Sequence, residues 1–327
     1  MNRIVRSRDA QNRGHSQIKG QVNNRLDEYF HDDNIREVMV NAGSQVWVER
    51  NGELDHVGTI HPDDTRAFIE RTLLPLGRRI DITSPIVDAR LSDGSRLCAV
   101  IPPIAVDGPC VAIRRFSARH LGLEDFTSPD IVELLQQMMH DRRNILVSGA
   151  ASAGKTTLLN ALCGYLATNE RIITIEDIAE LRLNHPHVVR LEARPASPDG
   201  NLEISTRSLV RTALRLRPDR LIVGEVRGAE TLDMLSAMNT GHNGSMSTIH
   251  ANSSRDALRR IESLVLQHAA NWSREVVHDH VASSINAIVH VARHINGSRS
   301  VQEILFIDDT QMYEVVQDGR LICDASL

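Results

Sequence analysis

The chain has 327 residues, more than one ordinary core holds and about right for two domains. Its 41% hydrophobic and 24% charged residues describe an ordinary globular protein. With 3% aromatics and a net charge of -5 it lacks both the stacking surface and the bulk positive field that a nucleic-acid binder uses.

Residues 1–20 are polar, and Arg3, Arg6, Arg8, Arg13, Lys19 and Arg25 face only Asp9. Such a basic arm is expected to be disordered and solvated, with peripheral contact to anionic lipid as the functional alternative. The pattern then predicts a small α+β domain over 21–117. Its elements are a helix over 21–31, strands at 37–48 and 53–57 around Asn51-Gly52, a helix from Pro62 to Leu76, and strands at 87–91, 96–101 and 110–116. A linker covers 118–130, with Gly122, Thr127, Ser128 and Pro129.

From 131 to 327 strands and helices alternate. A helix at 130–141 leads in. Strands are expected at 144–148, 171–176, 220–224 and 245–250, and helices at 155–167, 205–217, 228–239 and 254–268. A helix at 273–286 and strands near 287–293, 301–307 and 312–317 close the chain. Alternation of this kind predicts an α/β fold with a mostly parallel sheet covered on both faces. The longest apolar run, Cys98 to Val106, contains two prolines and is too short to span a bilayer. Cys98, Cys110, Cys163 and Cys323 show no C-x-x-C spacing, so no zinc site is signalled, and scattered thiols fit a reducing compartment.

Gly149 to Thr156 reads G-x-x-x-x-G-K-T, after the apolar run Ile145–Val147 and before a helix-forming run. That is the strand, glycine loop and helix context of a phosphate-binding P-loop. Gly149, Ala150, Ala151, Ser152, Ala153 and Gly154 would form the loop, and Lys155, Thr156 and Thr157 the first turn of the helix. Lys155 is expected to reach the β- and γ-phosphates of ATP and Thr156 to bind Mg²⁺. Only Lys19 and Lys155 are lysines among 37 Lys plus Arg, so the chain keeps a compact point charge at this one structured position.

Other candidates stand at strand ends. Glu176 and Asp177 follow an apolar strand, where they would either hold metal and orient water or begin a solvated loop. Glu225, after Arg220–Gly224, suits polarising an attacking water. His250 ends another strand and is either a γ-phosphate contact or an ordinary satisfied histidine. Arg114, Arg115 and Arg96 are candidate arginine fingers, with surface charges as the plain alternative and Arg115 the first choice.

On these residues the chain resembles the type II/type IV secretion and pilus-assembly ATPases, most closely the Tad (Flp-type) pilus branch. Gly149–Thr157 matches the Walker A loop, Thr174–Leu183 the Asp box, Arg217–Gly228 the atypical Walker B and Gly241–Asn252 the His box. Asp93–Leu97 and Ile113–Phe116 fit the N-terminal domain. The resemblance implies a RecA-like ATPase domain behind a small, PAS-like N-terminal domain. It makes Glu225 the catalytic glutamate, Glu176 a second acid at the metal and His250 a γ-phosphate sensor, so that Thr156, Glu176 and Glu225 would surround Mg²⁺. It further implies a homohexamer on the cytoplasmic face of the inner membrane, working through a polytopic membrane platform protein, without nucleic acid. The short N-terminal extension is expected to lack the docking modules of longer relatives, and the missing tetracysteine motif argues against the type II secretion branch. The rival readings are a RecA-like nucleic-acid motor and a non-hydrolysing ATP-gated scaffold. A GTPase is disfavoured, because lysines at 19 and 155 leave no N-K-x-D motif.

Overall fold

Three apolar cores organise the chain, one inside a small antiparallel domain and one on each face of a large mixed sheet. The structure, a computed structural model, describes residues 25–29, 32, 34–50, 52–115, 121–196, 202–308 and 311–322. The basic arm at 1–20, Asn51, Phe116, the first residues of the linker and Cys323 lie outside the described residues.

The small domain contains α1 (Arg25–Tyr29), β1 (Ile35–Asn41), β2 (Gln45–Arg50), β3 (Glu53–Thr59), α2 (Pro62–Leu73), β4 (Ile86–Arg90), β5 (Arg96–Val100) and β6 (Cys110–Arg114). Its strands pair antiparallel in the order β3-β2-β1-β6-β5-β4. Period-two alternation turns Val38, Val40, Val46, Val48, Leu97, Ala99, Val111 and Ile113 toward Phe68, Ile69 and Leu73 of α2. The opposite face presents Glu37, Trp47, Cys98 and Arg114. The single strand expected over 37–48 is in fact two. Asn41-Ala42-Gly43-Ser44 reverses the chain, with Ala42 at φ 50° and Gly43 at φ 70°, and the Ser44 N–H donates to the Asn41 carbonyl at 3.0 Å. Two left-handed residues in succession give the turn whose twist matches a hairpin.

The second part runs α3 (Pro129–His140), β7 (Ile145–Gly149), α4 (Lys155–Cys163), β8 (Ile172–Glu176), β9 (Val188–Glu192), α5 (Thr206–Ala213), β10 (Arg220–Val223), α6 (Glu230–Asn239) and β11 (Met246–His250). It continues through α7 (Ser254–His268), α8 (Arg274–Ser284), β12 (Ala287–Arg293), β13 (Arg299–Ile307), β14 (Met312–Gln317) and β15 (Arg320–Leu321). The sheet order is β15-β14-β13-β12-β7-β11-β10-β8-β9. Every pair from β12 to β9 is parallel, and β13, β14 and β15 are added antiparallel. This is the expected α/β fold with a mostly parallel sheet. The two short edge strands β9 and β15 were not anticipated. The helix expected over 205–217 stops at Ala213 and tightens into a 3₁₀ turn, because Arg217 turns left-handed (φ 57°) before Pro218.

Glu170 ties the entrance of β10 to the end of α3. Its carboxylate, 4% exposed, accepts from Arg220 Nε at 2.8 Å and also from Arg142, and the buried Arg220 donates from Nη2 to the Met139 carbonyl at 2.9 Å. Removing one partner of a buried pair strands the other charge. Glu170→Ala is therefore expected to lower unfolding free energy by about 3–5 kcal/mol in denaturant titration. A change within experimental error would show that Arg220 finds water or another acceptor.

Candidate nucleotide site

Parallel register brings the chemistry to one end of the large sheet. β11 pairs with β7 so that His250 lies beside Gly149, and β10 pairs with β8 through Val223 and Ile175, which places Glu225 and Glu176 just beyond the same edge. All five residues of β7 are buried, so the loop that leaves it starts from a fixed point. The loop turns left-handed at Ser152 (φ 59°) and Gly154 (φ 101°) and enters α4 at Lys155. Successive amides are thereby aimed at the helix N-terminus, which favours an anion.

Lys155 is 7% exposed, and its Nζ donates to the carbonyls of Gly149 at 3.1 Å and Ala150 at 3.0 Å. It also lies 3.1 Å from His250 Nδ1, while His250 Nε2 lies 3.3 Å from Glu225 Oε1. Burial, only partly offset by Glu225 and reinforced by Arg114 and Arg227, lowers the Lys155 amine to about 8. Burial and the Lys155 charge likewise lower the pKa of His250, against the opposing charge of Glu225. The second oxygen of Glu225 accepts from Arg227 Nη2 at 3.0 Å, and Arg227 extends to Asp177 at 3.8 Å. Asp177 in turn accepts from the Thr206 hydroxyl at 2.6 Å.

Above this chain lies a cavity of about 1390 Å³ between the small domain and the loop. Lys155, Thr156, Thr157, Glu225 and His250 line it, and so do Arg96, Arg114 and Arg115 from the small domain. The three arginines are not equivalent. Arg115 spends Nη1 on the Asp32 and Ile35 carbonyls, and Arg96 Nη1 is held by Glu180 at 2.8 Å. Among the described residues Arg114 meets only the distant Glu37 carboxylate, at 3.8 Å, with its side chain about half exposed. Arg114 is thus the least committed of the three to other groups among the described residues.

Glu176 departs from expectation. It does not line the cavity; its neighbour four residues on, Glu180, does. Glu176 Oε1 accepts the N–H groups of Glu180 and Leu181, both at 2.9 Å, while Oε2 is buried without a hydrogen-bond partner. A Cβ at residue 224 would lie 2.8 Å from Glu176 Cγ, which is why glycine separates β10 from Glu225. Glu176 thus shapes the loop that delivers Glu180 to Arg96. Sequence reasoning gave no role to Glu180, Arg227 or Arg299. Arg227 was within reach, since it follows Glu225 by two residues; the other two are placed by tertiary packing alone.

The fold and the loop define a P-loop nucleotide-binding protein of the RecA-like class. The chain belongs to the Type II/IV secretion system protein family, whose description matches residues 22–320. It is 31% identical over 287 residues to the conjugal transfer protein TrbB of Rhizobium radiobacter, covering 85% of each chain. It is 34% identical over 269 residues to the type IV secretion system protein PtlH of Bordetella pertussis, covering 72% of this chain and 78% of that one. Its fold matches the pilus retraction motor PilT crystallised with ADP, with a TM-score of 0.64 and 23% identity over 88% of this chain and 84% of that one. TrbB and PtlH agree with that family, and PilT shares the fold; none of the three is a Tad-branch protein by name.

Burial raises the Glu176 carboxyl to about 7, against the opposing effect of its two backbone hydrogen bonds. A carboxyl whose folded value lies above its unfolded one favours the native state below the unfolded pKa, near 4.5, and loses that advantage as pH rises through 7. In metal-free, nucleotide-free buffer the chain should lose on the order of 3 kcal/mol of stability between pH 4.5 and 8 from this group. Glu176→Gln keeps an acceptor for the two N–H groups and should flatten the thermal-melting profile over that window. An equal slope in the variant would assign the dependence elsewhere.

Proposed function

We propose that this protein is a Mg²⁺-dependent ATPase that drives pilus assembly or secretion as a homohexamer, docked to the cytoplasmic face of the inner membrane through a polytopic platform protein. The contact chain Lys155–His250–Glu225, at the mouth of a P-loop and under a cavity roofed by another domain, carries the reading. A glycine turn with an incidental lysine would not bring a buried cation, an imidazole and a carboxylate into successive contact.

The roles follow from position. The loop amides and Lys155 bind the phosphate chain. Glu225 accepts a proton from the attacking water, and His250 reports the γ-phosphate to it. No three His, Cys, Asp or Glu side chains converge as a self-sufficient metal site among the described residues. The donors at hand, the Thr156 hydroxyl and Glu225, suit Mg²⁺, which binds through few protein oxygens and completes its shell with water and phosphate. Mg²⁺ would neutralise charge that develops between the β- and γ-phosphates. No helix among the described residues is long and apolar enough to cross a membrane.

The Tad-pilus assignment rests on motif resemblance, while the relatives TrbB and PtlH favour a conjugal or type IV secretion machine. Co-purification with the platform protein of one machine or the other separates these two. Stimulation of turnover by DNA would instead revive the nucleic-acid motor.

Lys155→Ala should abolish MgATP binding by calorimetry, and unchanged affinity would refute the site. Glu225→Gln should preserve binding and lower turnover about 100-fold or more, because an amide accepts no proton. Wild-type turnover would return the catalytic role to another acid and favour the non-hydrolysing scaffold if no acid variant matters.

Arg114→Ala should lower turnover by roughly 10³-fold with little change in ATP affinity if the small domain supplies an arginine finger. Arg115→Ala should instead lower the melting temperature, since its guanidinium braces the approach to β1. Equal, wild-type rates for both variants and for Arg96→Ala would make the small domain a docking module.

A further inference from the structure

A second set of arginines crowds the loop from the side opposite His250. Arg299, the first residue of β13, lays its side chain across Gly154: a Cβ there would meet Arg299 Cδ at 2.5 Å and Nε at 3.1 Å. Gly154 is the residue that caps α4, so the guanidinium stands at the rim of the helix N-terminus. Arg299 Nε is buried and makes no hydrogen bond. The charges that bear on Arg299 are those of Arg36, Arg293 and Arg114, with Glu49 the one acid, and burial together with these like charges lowers its pKa. Glu49 is already shared with Arg293, at 3.8 Å. All five side chains line the same cavity as Lys155.

A half-buried guanidinium set among three others, with its buried Nε left as an unused donor, is a costly arrangement. A stability role would have given it an acid or a carbonyl, as Arg220 has. An anion at the α4 N-terminus would instead satisfy the donor and screen the four cations together.

We propose that Arg299 is a phosphate-contacting residue that holds the α- and β-phosphates of the bound nucleotide from the flank of the loop. This rests on the nucleotide reading above and adds a cation supplied by the C-terminal antiparallel hairpin, distinct from the arginines of the small domain. Because it serves phosphates that ADP retains, it governs nucleotide retention through the whole cycle, product release included.

The test uses the full chain with Arg299→Met, which keeps an unbranched stem and removes the charge, and with Arg299→Lys. Calorimetry with MgADP and with MgATP should show both affinities about 10-fold or more weaker in Arg299→Met, with Arg299→Lys in between. Without nucleotide, the melting temperature of Arg299→Met should equal or exceed that of wild type, because a repelled cation has gone. Affinities within twofold of wild type, or a loss confined to MgATP, would overturn the assignment. So would a lowered melting temperature without nucleotide in both variants, which would make Arg299 a structural brace. Lys155→Ala in the same titrations separates the two levels. If it loses nucleotide while Arg299→Met does not, only this inference falls; if Lys155→Ala binds normally, the nucleotide site itself falls.

Discussion

The register between β7 and β11 is the constraint on which the site depends. Gly149 is paired with His250, so the end of the strand that launches the loop and the end of the strand that carries the histidine are fixed side by side. β10, on the other side of β11, extends beyond its last paired residue through the glycine carbonyl at 224, which accepts from the Thr248 hydroxyl at 2.7 Å, while the Val226 N–H donates to the Thr248 carbonyl at 3.0 Å. These two bonds hold Glu225 against β11 after the strand itself has ended. A slip of one residue would turn His250 to the opposite face of the sheet and break the line from lysine to glutamate.

Burial is what gives these groups unusual properties. Lys155 is held close to its own loop carbonyls, and the nearby Glu225 carboxylate offsets the cost of its burial only in part. Glu176 sits behind the wall and is costly to ionise, and its two backbone bonds convert that cost into a defined path for the chain from 177 to 181. The contrast with Glu170 is instructive. That carboxylate is as buried, yet two arginines meet it. The fully partnered pair stabilises the sheet entrance, whereas Lys155 and Arg299, cations without a carboxylate bound directly to them among the described residues, line the cavity, as groups kept for a ligand do.

Much of this was legible in the sequence because the signals are local. A glycine loop between an apolar run and a helix, and an acid or histidine at the end of a buried run, are read without knowing what lies across the sheet. The turn at Ala42-Gly43 was overlooked because the apolar alternation continues through it, and only the left-handed backbone reveals the reversal. β9 escaped because an edge strand with Arg190 in its centre buries little. Arg299 carries no linear signal at all: it lies at the start of a hairpin strand that happens to cross Gly154. The inequality among Arg96, Arg114 and Arg115 is of the same kind, since sequence cannot say which guanidinium is already committed to a carbonyl or a carboxylate.

The seam between the two domains gives the last step. Among the described residues, the core residues of the small domain all precede 114 and those of the large sheet all follow 120, so no apolar cluster of them spans the two. What crosses is polar: Arg96 to Glu180, Arg182 to the Asp93 carbonyl at 2.7 Å, Arg293 to Glu49, and Arg90 to Glu192 at 3.9 Å. Exposed pairs of this sort contribute about 0–1 kcal/mol each, so the seam as a whole is weak beside a buried apolar interface. A polyanion in the cavity would compete for the same arginines that now hold the seam. Closure over nucleotide and opening after its loss therefore need no rupture of a core, only an exchange of arginine partners, and the contacts that position the small domain are the ones a phosphate chain can rewrite.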